Sequence, residues 1–272
     1  MNRNELLIEA DELLTRFNDP NIRIFDASIT DDVYLQRHIP GAAYFDHERF
    51  SDDSAKYMYT VLPQEKLAGQ IGNAGISNDS EVIVYACGTL PYAIRAWWVL
   101  KYAGLKNVRV LNGGITAWQN AGGPLEQEPH QYAPARFTAR FNPSMFTGKE
   151  EVLASTEDPN VAIVNVLPLE SYEGKHIVGS ICVSSMDLMQ GLDYLLPDEQ
   201  LVSRLAELAD RKRIITYCGG GIAAAVNAAA HLITGHENVA IYDGSMFEWL
   251  GEGLPTVGNG RWEIWMQPQA GD

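Results

Sequence analysis

Residues 215–232 read ITYCGGGIAAAVNAAAHL. A β-branched run ends at a tyrosine, one cysteine follows, then three glycines, then an alanine-rich helix former. Cys218 is the candidate nucleophile, and its neighbours indicate what it could do. Gly219, Gly220 and Gly221 can take positive φ without steric cost, so the turn can close with its N–H groups inward as an anion-binding concavity. The helix behind it adds the partial positive charge of its N-terminal amides. A thiol there should ionise more easily, and the thiolate is the nucleophilic form. The same amides would hold a sulfur anion bonded to it. An ordinary buried thiol beside a strand-to-helix turn is the plainer alternative.

Two other chemistries fit part of the pattern. GGGIAA matches G-x-G-x-x-A, and Asp243 follows at the next strand end, as in a dinucleotide fingerprint. Only the stretch 244–272 comes after Asp243, too short for a second mononucleotide half. A cysteine phosphatase would need arginine at the place where this chain has Ala224.

The elements that must position Cys218 are written twice. GLKNVRVLNGGITAWQNAG (104–122) and GHENVAIYDGSMFEWLGEG (235–253) align without gaps, setting Gly104 on Gly235, Gly113 on Gly244 and Trp118 on Trp249. Upstream, NIRIFDASITDDVYLQRHIPGA (21–42) resembles NVAIVNVLPLESYEGKHIVGS (160–180) around His-Ile-x-Gly. Short apolar runs alternate with helical stretches in each copy, which predicts a parallel sheet covered on both faces. Ligands of such sheets bind outside the carboxyl ends of the strands, where Cys218 lies. The proline-rich stretch between the copies predicts an extended surface linker. The expected division is 1–126, a linker over 127–144, and 145–272 carrying the cysteine. The opening stretch 1–17 has the apolar spacing of one amphipathic helix and lacks the uncharged core of a secretory signal.

Composition narrows the function further. The chain has 272 residues, 46% hydrophobic and 20% charged, with a formal charge of -15. That balance argues against nucleic-acid backbone binding and against long-range attraction of anionic substrates. No apolar run reaches membrane-spanning length. Three cysteines, none in a C-x-x-C pair, fit a reducing cytoplasm better than a disulfide framework.

Taken together, Cys218, HIPGAAYFD, AWWVLKYAG and LNGGITAW in the first half, and HIVGS, YCGGGIAA and YDGSMFEW in the second, resemble a tandem-domain rhodanese of the thiosulfate and 3-mercaptopyruvate sulfurtransferase family. The resemblance covers nearly the whole chain. It implies two similar α/β domains, each a parallel sheet with helices on both faces, the first normally inactive and the second holding the working cysteine near the domain interface. It also implies that Cys218 forms a persulfide and that Gly219, Gly220, Gly221, Ile222 and Ala223 form the loop that cradles it. The expected reaction moves a sulfane sulfur from a small donor to a cyanide, small-thiol or protein-thiol acceptor, with no metal or cofactor. The alternative is a catalytically weak, sulfur-binding regulatory module that docks to a partner.

That alternative arises where the chain departs from the family. The loop has no charged side chain and lacks the serine of mercaptopyruvate enzymes. Where relatives carry substrate-gripping arginine in an Asp-x-Arg segment, this chain reads Asn165-Val166-Leu167, and no arginine occurs from Phe141 to Ser203. Arg95 and Lys101 are expected to be exposed, and Arg211, Lys212 and Arg213 to sit at the far end of their strand. His38, with Asp31 and Asp32 nearby, is the candidate accessory residue for acid–base work, against a structural role in fixing its loop. Cys87 falls opposite Cys218 when the helices of the two copies are aligned, but Pro91 removes an amide from its loop, so it is expected to be structural. Cys182 and the Trp97–Trp98 pair are expected to pack in the core.

Overall fold

A computed structural model describes residues 1–264. It contains two five-stranded parallel sheets built in the same way. In the first, the strands run in the order Leu7–Ile8, Val108–Leu111, Glu81–Tyr85, Ile22–Asp26, Ala43–Tyr44. In the second, the order is Phe146–Thr147, Val239–Tyr242, Arg213–Tyr217, Val161–Asn165, Ile181–Cys182. The central strands are apolar and almost wholly buried, as parallel strands covered on both faces must be.

The repeat persists in side-chain detail. Trp118 donates its indole N–H to the Pro124 carbonyl at 2.7 Å, and Trp249 donates to Pro255 at 2.8 Å. The Tyr85 hydroxyl accepts the Ile39 amide at 3.1 Å, as Tyr217 accepts that of Ile177 at 3.1 Å. These buried polar tips are satisfied by backbone, which lets large rings fill each core without unpaired groups.

The amino terminus differs from the expected single helix. Arg3–Leu6 and Ala10–Leu14 are separate short helices, and Leu7–Ile8 between them is an edge strand paired with Val110 and Leu111. Sheet pairing thus overrides the helical spacing. The second domain repeats the device with Phe146–Thr147 ahead of helix Lys149–Ser155.

The segment between the sheets runs extended along the first domain. Tyr132 accepts the Ile24 amide at 2.9 Å and donates to the Gly41 carbonyl at 2.7 Å, while the Ala135 and Arg140 amides donate to the Gly72 and Ala103 carbonyls at 2.8 and 2.9 Å. The domains meet through helix Leu90–Tyr102 of the first and helix Ala224–Ile233 of the second. No helix among the described residues is long and apolar enough to cross a membrane.

Candidate active site

Strand Arg213–Tyr217 delivers Cys218 to the carboxyl edge of the second sheet, and helix Ala224–Ile233 begins just beyond the glycine loop. The loop between them is clamped by its carbonyls. Met246 and Phe247 amides, at the start of helix Ser245–Gly251, donate to the Cys218 and Gly219 carbonyls at 3.1 and 3.0 Å. Arg95 reaches the Gly221 carbonyl at 3.5 Å. The helix-start amides would otherwise lack partners, so these bonds hold the Cys218 and Gly219 carbonyls in place. The Gly221 amide donates to Cys218 Sγ at 3.1 Å. Of the three glycines, Gly221 alone has positive φ, at 83°, so a single left-handed residue turns the loop inward.

Cys218 is 3% exposed, yet it lines a cavity of about 540 Å³ together with Gly219, Gly220, Ile222 and Ala223. The first domain completes the cavity through Tyr59, Thr89 and Tyr92. Burial, and then the neighbouring Tyr59, pushes the Tyr92 phenol well above its ordinary range, so that hydroxyl stays neutral beside the nucleophile.

Ser245 holds the root of the nucleophile. Its hydroxyl accepts the Cys218 amide at 3.1 Å and donates to the Tyr242 carbonyl at 2.8 Å. The residue has φ of 48°, a left-handed value unusual for a side-chain-bearing residue. Its counterpart in the first copy is Gly114, with φ of 52°. That glycine-to-serine difference was readable by aligning the copies, but its meaning was not.

The cations are arranged otherwise than expected. Arg95 is 3% exposed and crosses the domain boundary, with Nη2 2.7 Å from Asp243 Oδ1 and 2.8 Å from the Tyr59 carbonyl. The carboxylate also accepts the Val61 amide at 2.7 Å. Asp243, read from sequence as a possible ribose ligand, is therefore an interdomain anchor. Arg213 pairs with Glu151 at 3.0 Å, at the amino end of its strand as expected.

His38 is not among the residues lining the Cys218 cavity. Its ring is fully buried, stacks on Tyr34 at 4.1 Å, and bonds to the Tyr34 and Glu128 carbonyls at 2.7 and 3.1 Å. His176 repeats the stack on Tyr172 at 3.8 Å, which points to a loop-fixing role in both domains. Cys87 is half-buried, and its amide donates to Ser28 Oγ at 3.0 Å. The Cys182 thiol donates to the Leu167 carbonyl at 3.6 Å, and burial pushes it up to about 11. Trp97 and Trp98 are core residues, each with its indole N–H on a backbone carbonyl.

A rhodanese-like domain profile matches residues 9–121 and 148–252. The chain is 33% identical over 261 residues to the thiosulfate sulfurtransferase of Bos taurus, covering 88% of each. It is 30% identical over 263 residues to the 3-mercaptopyruvate sulfurtransferase of Escherichia coli K12, covering 89% of this chain and 94% of the other. The crystal structure of SseA from Escherichia coli, a 3-mercaptopyruvate sulfotransferase, aligns with a TM-score of 0.80 at 29% identity, over 88% of this chain and 98% of that one.

Proposed function

The chain belongs to the rhodanese-like domain family and is a sulfurtransferase, and on that premise we propose that it carries sulfur as a persulfide on Cys218. The thiolate attacks the outer sulfur of a sulfane donor; a new S–S bond forms, and the remainder of the donor leaves with the bonding electron pair. An acceptor, cyanide or a thiol, then removes the outer sulfur and regenerates the thiolate. The loop Gly219–Ala223 holds the terminal sulfur anion through its amides, in the manner of an oxyanion hole.

The observation that carries this reading is the Gly221 amide on Cys218 Sγ at the edge of an open cavity. A fixed N–H dipole in a site with little water acts strongly on developing negative charge and needs no reorganisation. The test is intact mass after incubation with a sulfane donor. Wild-type protein should gain about 32 Da, one sulfur atom, and lose it to cyanide, as a covalent carrier must. Cys218→Ser should gain nothing; a Cys218→Ser protein that still transfers sulfur would end the proposal.

A further inference from the structure

A hairpin of the second domain reaches across to the first. Strands Met189–Gln190 and Tyr194–Leu195 pair antiparallel, with Gly191, Leu192 and Asp193 turning between them. The turn lands on the carboxyl edge of the first sheet, the end where parallel sheets take their ligands. After strand Glu81–Tyr85, the Leu90 amide donates to the Leu192 carbonyl at 2.9 Å, and the Gly88 and Thr89 amides face the Asp193 carboxylate. After strand Val108–Leu111, the Gly113 amide donates to the Asp193 carbonyl at 3.0 Å, and Thr116 Oγ donates to Asp193 Oδ2 at 3.1 Å. Asp193 Oδ1 is buried without a well-formed hydrogen bond, which leaves Thr116 and the two amides to offset the cost of burying the charge. Tyr194 lies against Gly113, where an added Cβ would strike its ring. The same hairpin walls the Cys218 cavity, because Met189 and Leu192 line it beside Gly88 and Thr89. Met189 and Leu195 are buried at the base of the hairpin, but Leu192 is 52% exposed at its tip. Little apolar packing thus holds the tip, and a two-stranded hairpin has scant stability of its own.

Resting on the reading of Cys218 as the sulfur carrier, we propose that Asp193 is a positioning residue for transfer, a latch that seats this hairpin on the first domain and so holds the Leu192 wall of the cavity in place. Asp193 is not among the residues lining the cavity and acts through Leu192, its neighbour in the chain. The first domain then has a task in the reaction: it supplies the socket for the wall. A carboxylate suits that task, because hydrogen bonds to an ionised acceptor are roughly twice as strong as neutral ones. Losing it should loosen the tip while the base, held by Met189 and Leu195, stays packed.

The test uses the full chain with Asp193→Ala and Asp193→Asn. Hydrogen exchange reads the latch directly, at the Leu90 and Gly113 amides that the hairpin carbonyls cover. In the alanine variant these should exchange roughly 10-fold faster or more, the scale of losing a hydrogen bond to a charged group. Alkylation of Cys218 by N-phenylmaleimide relative to iodoacetamide, followed on the Cys218 peptide by mass, should rise by roughly 10-fold as the wall gives way to the bulkier reagent. With thiosulfate and cyanide, the donor KM should rise roughly 5-fold while kcat stays within about 2-fold, because a wall serves bound donor and transition state alike. Asp193→Asn keeps one accepting oxygen and should lie between wild type and alanine. Gly113→Ala, in the other domain and outside the cavity lining, displaces Tyr194 and should move all three readouts the same way. Exchange and alkylation equal to wild type in Asp193→Ala would overturn the latch. A fall in kcat at unchanged KM would overturn it too, by placing Asp193 in the chemistry. Sulfur transfer that survives Cys218→Ser would overturn the carrier reading and the role in transfer with it, while exchange and alkylation report the seating of the hairpin independently of turnover.

Discussion

Arg95 Nη2 lies 2.7 Å from Asp243 Oδ1, tying the long helix of the first domain to the strand end beside the Cys218 loop. The same guanidinium bonds to the Tyr59 carbonyl and reaches that of Gly221, and it lies over the Phe146 ring at 5.0 Å. One buried side chain therefore fixes the cavity wall, the loop and the domain contact together. Arg95→Met leaves the Asp243 carboxylate buried with a single amide, which should cost about 3–5 kcal/mol, as breaking one partner of a buried pair does. Urea unfolding measures it. The double variant Arg95→Met/Asp243→Leu should lose less than the sum of the singles, because no orphan charge remains.

Gly221 tests the cradle directly. An added Cβ would lie 3.0 Å from both the Asp243 carbonyl and Oδ1, at a φ of 83° that side-chain-bearing residues rarely adopt. Gly221→Ala must therefore displace the amide that faces Cys218. Sulfur transfer should fall by about 10²-fold, the scale of losing one donor to a developing anion. The persulfide formed should also decay faster, followed by intact mass over time. An unchanged lifetime would remove this amide from the mechanism.

Ser245 separates strain from hydrogen bonding. Ser245→Gly relieves the backbone strain but strands the Cys218 amide, whereas Ser245→Ala keeps the strain and loses the bond as well. The alanine variant should lose about 1–3 kcal/mol from the unpaired buried group, and the glycine variant less than that. Equal stabilities would mean that the conformation at φ of 48° costs nothing here.

How far the sequence foretold this site follows the range of each interaction. The two copies, their parallel strands and the place of Cys218 rest on local pattern, so periodicity and the gapless match of 104–122 to 235–253 reveal them. Arg95 meets Gly221 across 126 residues of chain, and nothing in WWVLKY or its flanks distinguishes a buried interdomain arginine from a solvated one. Leu7–Ile8 fails for a related reason: its helical spacing is genuine, but the edge of the Val108–Leu111 strand needs a partner. The wall of the Cys218 cavity likewise includes Met58, Met186 and Leu192, which are distant in sequence.

The first domain's own cysteine loop is arranged for docking. Its Gly88 and Thr89 amides face the half-buried Asp193 carboxylate of the second domain, which Thr116 Oγ also reaches at 3.1 Å. Those amides thus face an internal carboxylate, and burial holds that carboxyl above its usual range. Cys87→Ser should keep both the sulfur mass gain and the transfer rate of wild type. Loss of either would give Cys87 a part in the reaction.

Acid should weaken the fold through two buried histidines. Burial lowers His47 to about 4, against a hydrogen bond to the Ala27 carbonyl that pulls the other way. Burial, with His236 nearby, lowers His231 to about 3, and neither ring nitrogen of His231 has a hydrogen-bond partner among the described residues. Both rings stay neutral in the fold, while in the unfolded chain they take up protons near pH 6.5. Stability from this source is therefore fully present above about pH 6.5 and is withdrawn as pH falls toward the folded values. For His47 the difference amounts to about 3 kcal/mol at most, while the raised Asp26 carboxyl works in the opposite sense at lower pH. His231→Leu should stabilise the protein by about 1 kcal/mol at pH 7 by removing unpaired polar atoms. Its advantage should widen at pH 5, where wild type alone bears the cost of keeping that ring unprotonated. Unfolding free energies of the two proteins at pH 5, 6, 7 and 8 measure this, and parallel curves would show that His231 does not control the acid limb.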